Sequence, residues 1–118
     1  MLSKNRRIAG WVLASLIAAL LLFSAYAKFM MPEMVVNFEK WGLGNWRIII
    51  ACGEIIAALL FLFPRTNIFG MLLLSAHMGG AIVVHMSHGE PFIIPVIILV
   101  LVWVTGFIRN PLLLSKIN

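Results

Sequence analysis

Glu54 lies where a carboxylate is costly. It sits inside the unbroken apolar run from Ile48 to Phe63. A charged side chain at the centre of a hydrocarbon slab costs about 2.5–3.5 kcal/mol on insertion scales. Such a group persists where it faces other helices or water, and there it can accept or relay a proton. His77 is the matching group in the next apolar run. The turn at Pro64-Arg65-Thr66 serves as a ruler, because Glu54 precedes Arg65 by 11 residues and His77 follows it by 12. At a 1.5 Å rise both lie roughly 16–18 Å from the turn, near mid-membrane. Antiparallel neighbours would hold carboxylate and imidazole at one depth, and a shared hydrogen bond would lower the cost of burying both. The sequence leaves the rotation of each helix open, and with it whether the two groups touch directly, through water, or not at all.

A second polar group belongs nearer the opposite surface. Lys28 follows Arg7 by 21 residues and His85 follows Arg65 by 20, which places both roughly 30 Å from the first surface. Arg47 and His88 join them at that rim, and the Lys28 stem is expected to snorkel outward. His85 and His88 are three apart and can present two ligands on one helical face. A metal needs more, and only Glu90 is near in sequence, so no metal is assigned. Bis-histidine haem ligation is compatible with the spacing and has no other support. Gly79, Gly80 and Ala81 suit close helix packing or, less readily, a small ligand. Cys52, the single cysteine, forms no intramolecular disulfide; it lies two residues from Glu54, on a different face, and reads as a small packing residue. Lys28, Glu54, His77 and His85 form the candidate intramembrane polar site, without a named catalytic residue. The chain has no Walker-type loop, nucleophile elbow, HExxH or dinucleotide fingerprint.

Four apolar runs must position these groups. They cover about residues 8–27, 46–63, 67–86 and 92–108, with tight connections at 64–66 and 87–91. The composition agrees: 63% of the 118 residues are hydrophobic and 11% charged, against roughly 25% charged in soluble domains. At about 20 residues per crossing, four spans use the whole length, predicting an all-α, single-domain, four-transmembrane antiparallel bundle. Lys4, Arg6 and Arg7 ahead of an apolar run ending in Ala25-Tyr26-Ala27 imitate a cleavable signal. The run is long enough to span and carries Gly10, Ala14 and Ala18 at helix-packing spacing, so it is read as the first helix. Between the first and second runs, Pro32 can open a short helix with Met34, Val35, Phe38 and Trp41 on one face. That segment is expected to lie in the membrane surface, stopped by Gly42 and Gly44. Trp41 and Trp46 suit the headgroup belt. Thr105, in the fourth run, is expected to bond its own backbone and receives no role.

The net charge of +5 collects at helix ends and termini, which fits headgroup contact and argues against nucleic acid as a partner. Lys4, Arg6, Arg7, Arg65, Arg109 and Lys116 fall on one side, and Lys28, Lys40 and Arg47 on the other. The positive-inside rule then puts both termini in the cytoplasm.

In order and spacing, Ser24-Ala25-Tyr26-Ala27-Lys28, Gly53-Glu54, Pro64-Arg65, Gly80-Ala81 and His85 resemble the DoxX-like family of small four-helix bacterial membrane proteins. The resemblance runs from about Ile8 to Pro111, with Ala25 where the family often has Gly. It implies a multi-pass protein of the bacterial inner membrane, with Lys28, Glu54 and His85 in a shared inner site. The family takes its name from a subunit of a thiosulfate:quinone oxidoreductase, and some members are membrane partners of redox or thiol-stress enzymes. Many members have no assigned activity. Two functions are therefore expected. One is a redox accessory that binds a quinone or similar molecule between helices near Glu54 and His77, beside a membrane or redox protein partner. The other is a non-enzymatic scaffold that recruits a partner or a second copy of itself. A small transporter is a weaker third, since four helices enclose a pathway poorly.

Overall fold

Five α-helices and one 3-10 turn make up the computed structural model, which describes residues 2–113 and 115. Lys116, counted above for orientation, lies outside the described residues. The helices are α1 (Lys4–Met30), α2 (Pro32–Lys40), α3 (Arg47–Leu62), α4 (Asn67–Ser87) and α5 (Ile93–Arg109), with the 3-10 turn Gly44–Trp46 before α3. Three helical segments, Lys4–Met30, Gly44–Leu62 and Asn67–Ser87, are long and apolar enough to cross a membrane; Ile93–Arg109 is apolar and shorter. α1 packs against α3 and α5, α3 against α4, and α4 against α5, so the four apolar helices close a ring of neighbours.

α1 begins four residues before its apolar run. The Ser3 hydroxyl accepts from the Arg6 amide, an N-cap that apolar patterning does not register. Side-chain size then sorts the faces. Inward go Gly10, Ala14, Ala18 and Ala25 of α1 and Ala51, Ala57 and Ala58 of α3. Outward go Leu16, Leu20, Phe23, Ile49, Ile56, Phe69, Leu72 and Val100. Small residues inside and large apolar ones outside is the arrangement helices adopt when lipid is the outer solvent. Cys52 belongs to the outer set: it is exposed, a correction of the packing role expected for it. Two residues along a helix is about 200°, so an inward Glu54 turns Cys52 outward. At Gly70, an added Cβ would collide with the Phe61 backbone, which marks the closest approach of α3 and α4.

The end of the ring carrying the 64–66 turn is bound by cations on carbonyls. Arg109 is 8% exposed. It donates to Phe61 O at 2.7 Å and Leu62 O at 2.8 Å, the unpaired carbonyls of the α3 C-terminus. Its guanidinium lies 5.8 Å from the Trp11 and Phe61 ring centroids. Arg6 likewise donates to Ile108 O and Phe107 O of α5. Asn110 donates to Asn67 Oδ1 at 2.6 Å, and Asn67 to Pro64 O at 2.6 Å. Above this lock Ile17, Leu21, Phe61, Met71, Leu74 and Val102 fill the interior. Thr105, fully buried there, donates to Leu101 O of its own helix, as expected.

Candidate functional site

The opposite end of the ring is built differently. Lys28 ends the inward stripe of α1, one to two turns past Leu21 and Ala25, and is 8% exposed. It does not snorkel outward. Its Nζ turns in and donates to Glu54 Oε1 at 2.7 Å and Ser24 Oγ at 2.8 Å. An ammonium and a carboxylate buried together relieve each other's desolvation, which outweighs the pull of the lysine head toward water. Arg47 donates to Lys28 O, tying the first turn of α3 to the last turn of α1.

Glu54 occupies the inner face of α3 between Ala51 and Ala57-Ala58, and is 1% exposed. Its second oxygen lies 3.5 Å from His77 Nε2. The depth ruler therefore brought the right pair together, and the helix rotations leave them in direct contact. Lys28, Glu54 and His77 form one linked set drawn from α1, α3 and α4. Lys28 thus belongs with Glu54, as the family resemblance implied, although its depth along the first helix had put it in a separate rim group.

His85 stands apart from that set and on the same cavity. Its Nδ1 lies 2.7 Å from Ala81 O. A carbonyl only accepts, so Nδ1 carries a proton, and in the neutral tautomer Nε2 is the acceptor. The ring packs 5.2 Å from Trp41. His88, by contrast, is exposed and bonds back to Val84 O and Ser87.

These groups line a cavity of about 720 Å³. Ser24, Lys28, Glu54, His77 and His85 give it a polar side, and Phe38, Met78, Ile94 and Ile98 an apolar one. Gly80 and Ala81 border it as well, and a Cβ added at Gly79 or Gly80 would meet nothing within 4 Å. These glycines leave room rather than drawing two helices together, reversing the packing role preferred from sequence. The outer wall is α2. Phe38 is its one buried residue, Met34 and Trp41 are half-buried, and Val35, expected on the same face, is exposed. Trp41 Nε1 donates to Glu90 Oε1 at 2.9 Å, and Lys40 Nζ pairs with Glu90 Oε2 at 2.6 Å.

Sequence reasoning missed Ser24 as a ligand of Lys28, Asn37 and Phe38 as cavity wall, and Glu90 as the tie to α2. The amphipathic spacing of α2 was legible and what it would cover was not. The site can hold a molecule with a polar head beside Lys28 and His85 and an apolar body against α5. Among the described residues no three His, Cys, Asp or Glu side chains cluster as metal ligands do.

A search of curated proteins and of solved structures returned no match. A family model, described as the DoxX-like family, matches residues 12–105. That match takes in most of the chain, including every residue of the linked set and of the cavity wall, and the chain belongs to the DoxX-like family of membrane proteins.

Proposed function

We propose that this DoxX-like protein is a multi-pass protein of the bacterial inner membrane, with α1, α3, α4 and α5 all spanning as one antiparallel domain and both termini cytoplasmic. In this reading the cavity binds a quinone or similar amphiphile, and the chain serves a membrane redox partner that supplies electrons. The observation carrying it is the buried Lys28–Glu54–His77 set on the polar side of a cavity whose other side is apolar. The residues fit such a molecule. Lys28 has three N–H donors and commits two to Ser24 and Glu54, which leaves one to offer a carbonyl. His85 Nε2 offers an acceptor to a hydroxyl, while Ile94, Ile98 and Met78 suit a ring and tail. A bound quinone supplies two-electron, two-proton chemistry, and Glu54 with His77 holds or passes the proton at its head.

The test is gentle detergent extraction followed by mass spectrometry of co-purifying lipids, quinones and proteins, with titration of a short-tailed quinone. The wild type is expected to bind and Glu54→Gln to bind about tenfold more weakly, since the carboxylate that orients the Lys28 ammonium and holds the proton at the head is lost. Equal binding by the two proteins, with unchanged quinone-linked respiration, would refute this reading. One observation favours the scaffold instead: among the described residues every buried side-chain N and O has a partner without any ligand. On that reading Glu54→Gln lowers folding yield and thermal stability, and the surface recruits a protein partner or a second copy.

A further inference from the structure

We propose that α2 is the gate of this cavity, that water-soluble molecules reach it only from the α2 side, and that Glu90 is the latch holding the gate shut. The inference rests on the reading of the cavity as a ligand site.

Four features carry it. First, α2 is the lid: Met34, Asn37, Phe38 and Trp41 line the cavity, and Phe38 is 3% exposed. Second, side chains fasten the far end of that lid to the α4–α5 connection. The Glu90 carboxylate accepts from Trp41 with one oxygen and pairs with Lys40 through the other. The Trp41 ring also rests on His85. Third, α2 has a joint at each end, between two fixed points. Met31, at φ −90° and ψ 124°, is extended between α1 and the Pro32 that opens α2. Gly42 follows α2 at φ +74°, a left-handed conformation glycine adopts without strain, with nothing within 4 Å of where a Cβ would be. Beyond these joints Arg47 holds α3 to the end of α1, so α2 can move without displacing either helix. Fourth, the other end is closed. Leu21, Phe61, Met71, Leu74 and Val102 fill the interior between the cavity and the 64–66 turn, and Arg109 covers them. A dry apolar plug of this kind passes neither protons nor charged solutes.

The experiment reports access without needing the ligand. Ser24→Cys is introduced into a Cys52→Ala background, and the protein is placed in oriented vesicles. A charged thiosulfonate reagent is then applied from either side, in wild-type, Glu90→Gln and Lys40→Met latches; Ala81→Cys provides a second reporter. The expected result is slow labelling from the α2 side, none from the other, and labelling about fivefold faster in either latch variant, the size of a weak exposed ion pair with its hydrogen bond. Labelling from the opposite side would overturn the inference. So would latch variants that label at the wild-type rate, pointing to lateral access past Gly80 and Ile94. A gate confirmed in a protein that binds no quinone would sink the quinone reading and leave the gate standing. Quinone binding with latch-independent labelling would do the reverse.

Discussion

Glu54 and Lys28 give the sharpest quantitative expectation. Glu54→Gln keeps the shape of the side chain and removes its charge, leaving the Lys28 ammonium 8% exposed with Ser24 as its polar neighbour. Removing one member of a buried ion pair costs about 3–5 kcal/mol when the survivor has no other relief. Here the Ser24 hydroxyl and the amide oxygen that replaces the carboxylate soften the loss, so about 2–3 kcal/mol is expected. Lys28→Met should cost less, because Glu54 retains His77 Nε2 at 3.5 Å. The double variant removes both charges and restores an uncharged pair of similar volume. It is expected within about 1 kcal/mol of wild type, because replacing a whole buried pair is often nearly neutral. The coupling between the two sites should therefore reach about 2 kcal/mol, within the range for contacting residues. Denaturant unfolding in mild detergent, followed by helix circular dichroism for all four proteins, measures it. Additive losses, with coupling below about 0.5 kcal/mol, would show that the buried pair does not act as a unit.

Three further outcomes are expected. Gly70→Ala should destabilise by about 1–3 kcal/mol, because its methyl meets the Phe61 backbone and must push α4 off α3. Gly53→Ala is the control, neutral or slightly stabilising in a thermal melt, since a Cβ there meets nothing within 4 Å. Arg109→Met should cost about 2–4 kcal/mol by leaving Phe61 O and Leu62 O without their donor, and Arg109→Lys should recover part of that loss. The latch should respond to acid. The hydrogen bond from Lys40 of α2 holds the Glu90 carboxyl below its usual range, against slight desolvation and helped by Trp41 and by the charge of His85 on α4. A lowered carboxyl pKa stabilises the closed form above the unperturbed value and loses that stabilisation as pH falls through the lowered one. The labelling rate of the Ser24→Cys reporter, divided by that of the same reporter with Glu90→Gln at each pH to cancel the fall in thiolate, should stay flat from neutral pH to about 4.3 and rise below it. A rise starting near pH 6 would assign the latch to a histidine instead.

The sequence made the apolar helices legible because lipid-facing length is a composition signal. The runs 46–63, 67–86 and 92–108 fall within a residue of α3, α4 and α5. The Glu54–His77 contact was reachable as well, since a short turn fixes the register of two antiparallel helices and leaves only their rotation open. Depth along the helix put Lys28 at the rim, and only the family resemblance grouped it with Glu54, for a physical reason: four methylenes let one backbone position serve either the interface or the interior, and periodicity does not say where Nζ goes. Arg109 was counted as an interfacial charge because nothing local reveals that the carbonyls it serves belong to α3, 47 and 48 residues earlier. Glu90 escaped for the same reason, as its partners Lys40 and Trp41 lie across the fold on α2.

The two ends of the ring differ in a way that bears on function. At the 64–66 end, arginines cap the C-termini of α3 and α5, and each bond joins a side chain to backbone that cannot relax away. Tightly packed small-residue contacts, with Gly70 on Phe61 and Gly106 on Met71, continue that rigidity inward. At the α2 end Arg47 likewise holds the last turn of α1, but the ties on α2 itself run between side chains, and the glycines at 79 and 80 leave space unfilled. A cavity removes packing contacts and weakens its surroundings, so it persists where the rest of the fold is over-determined. The arginine lock supplies that surplus at one end and frees the other to hold an open site under a lightly fastened helix. Loosening the lock should therefore show first at the cavity: Arg109→Lys should speed labelling of the Ser24→Cys reporter before it measurably lowers helix content. Were helix content lost first, the two ends would be one cooperative unit and this division between them would fail.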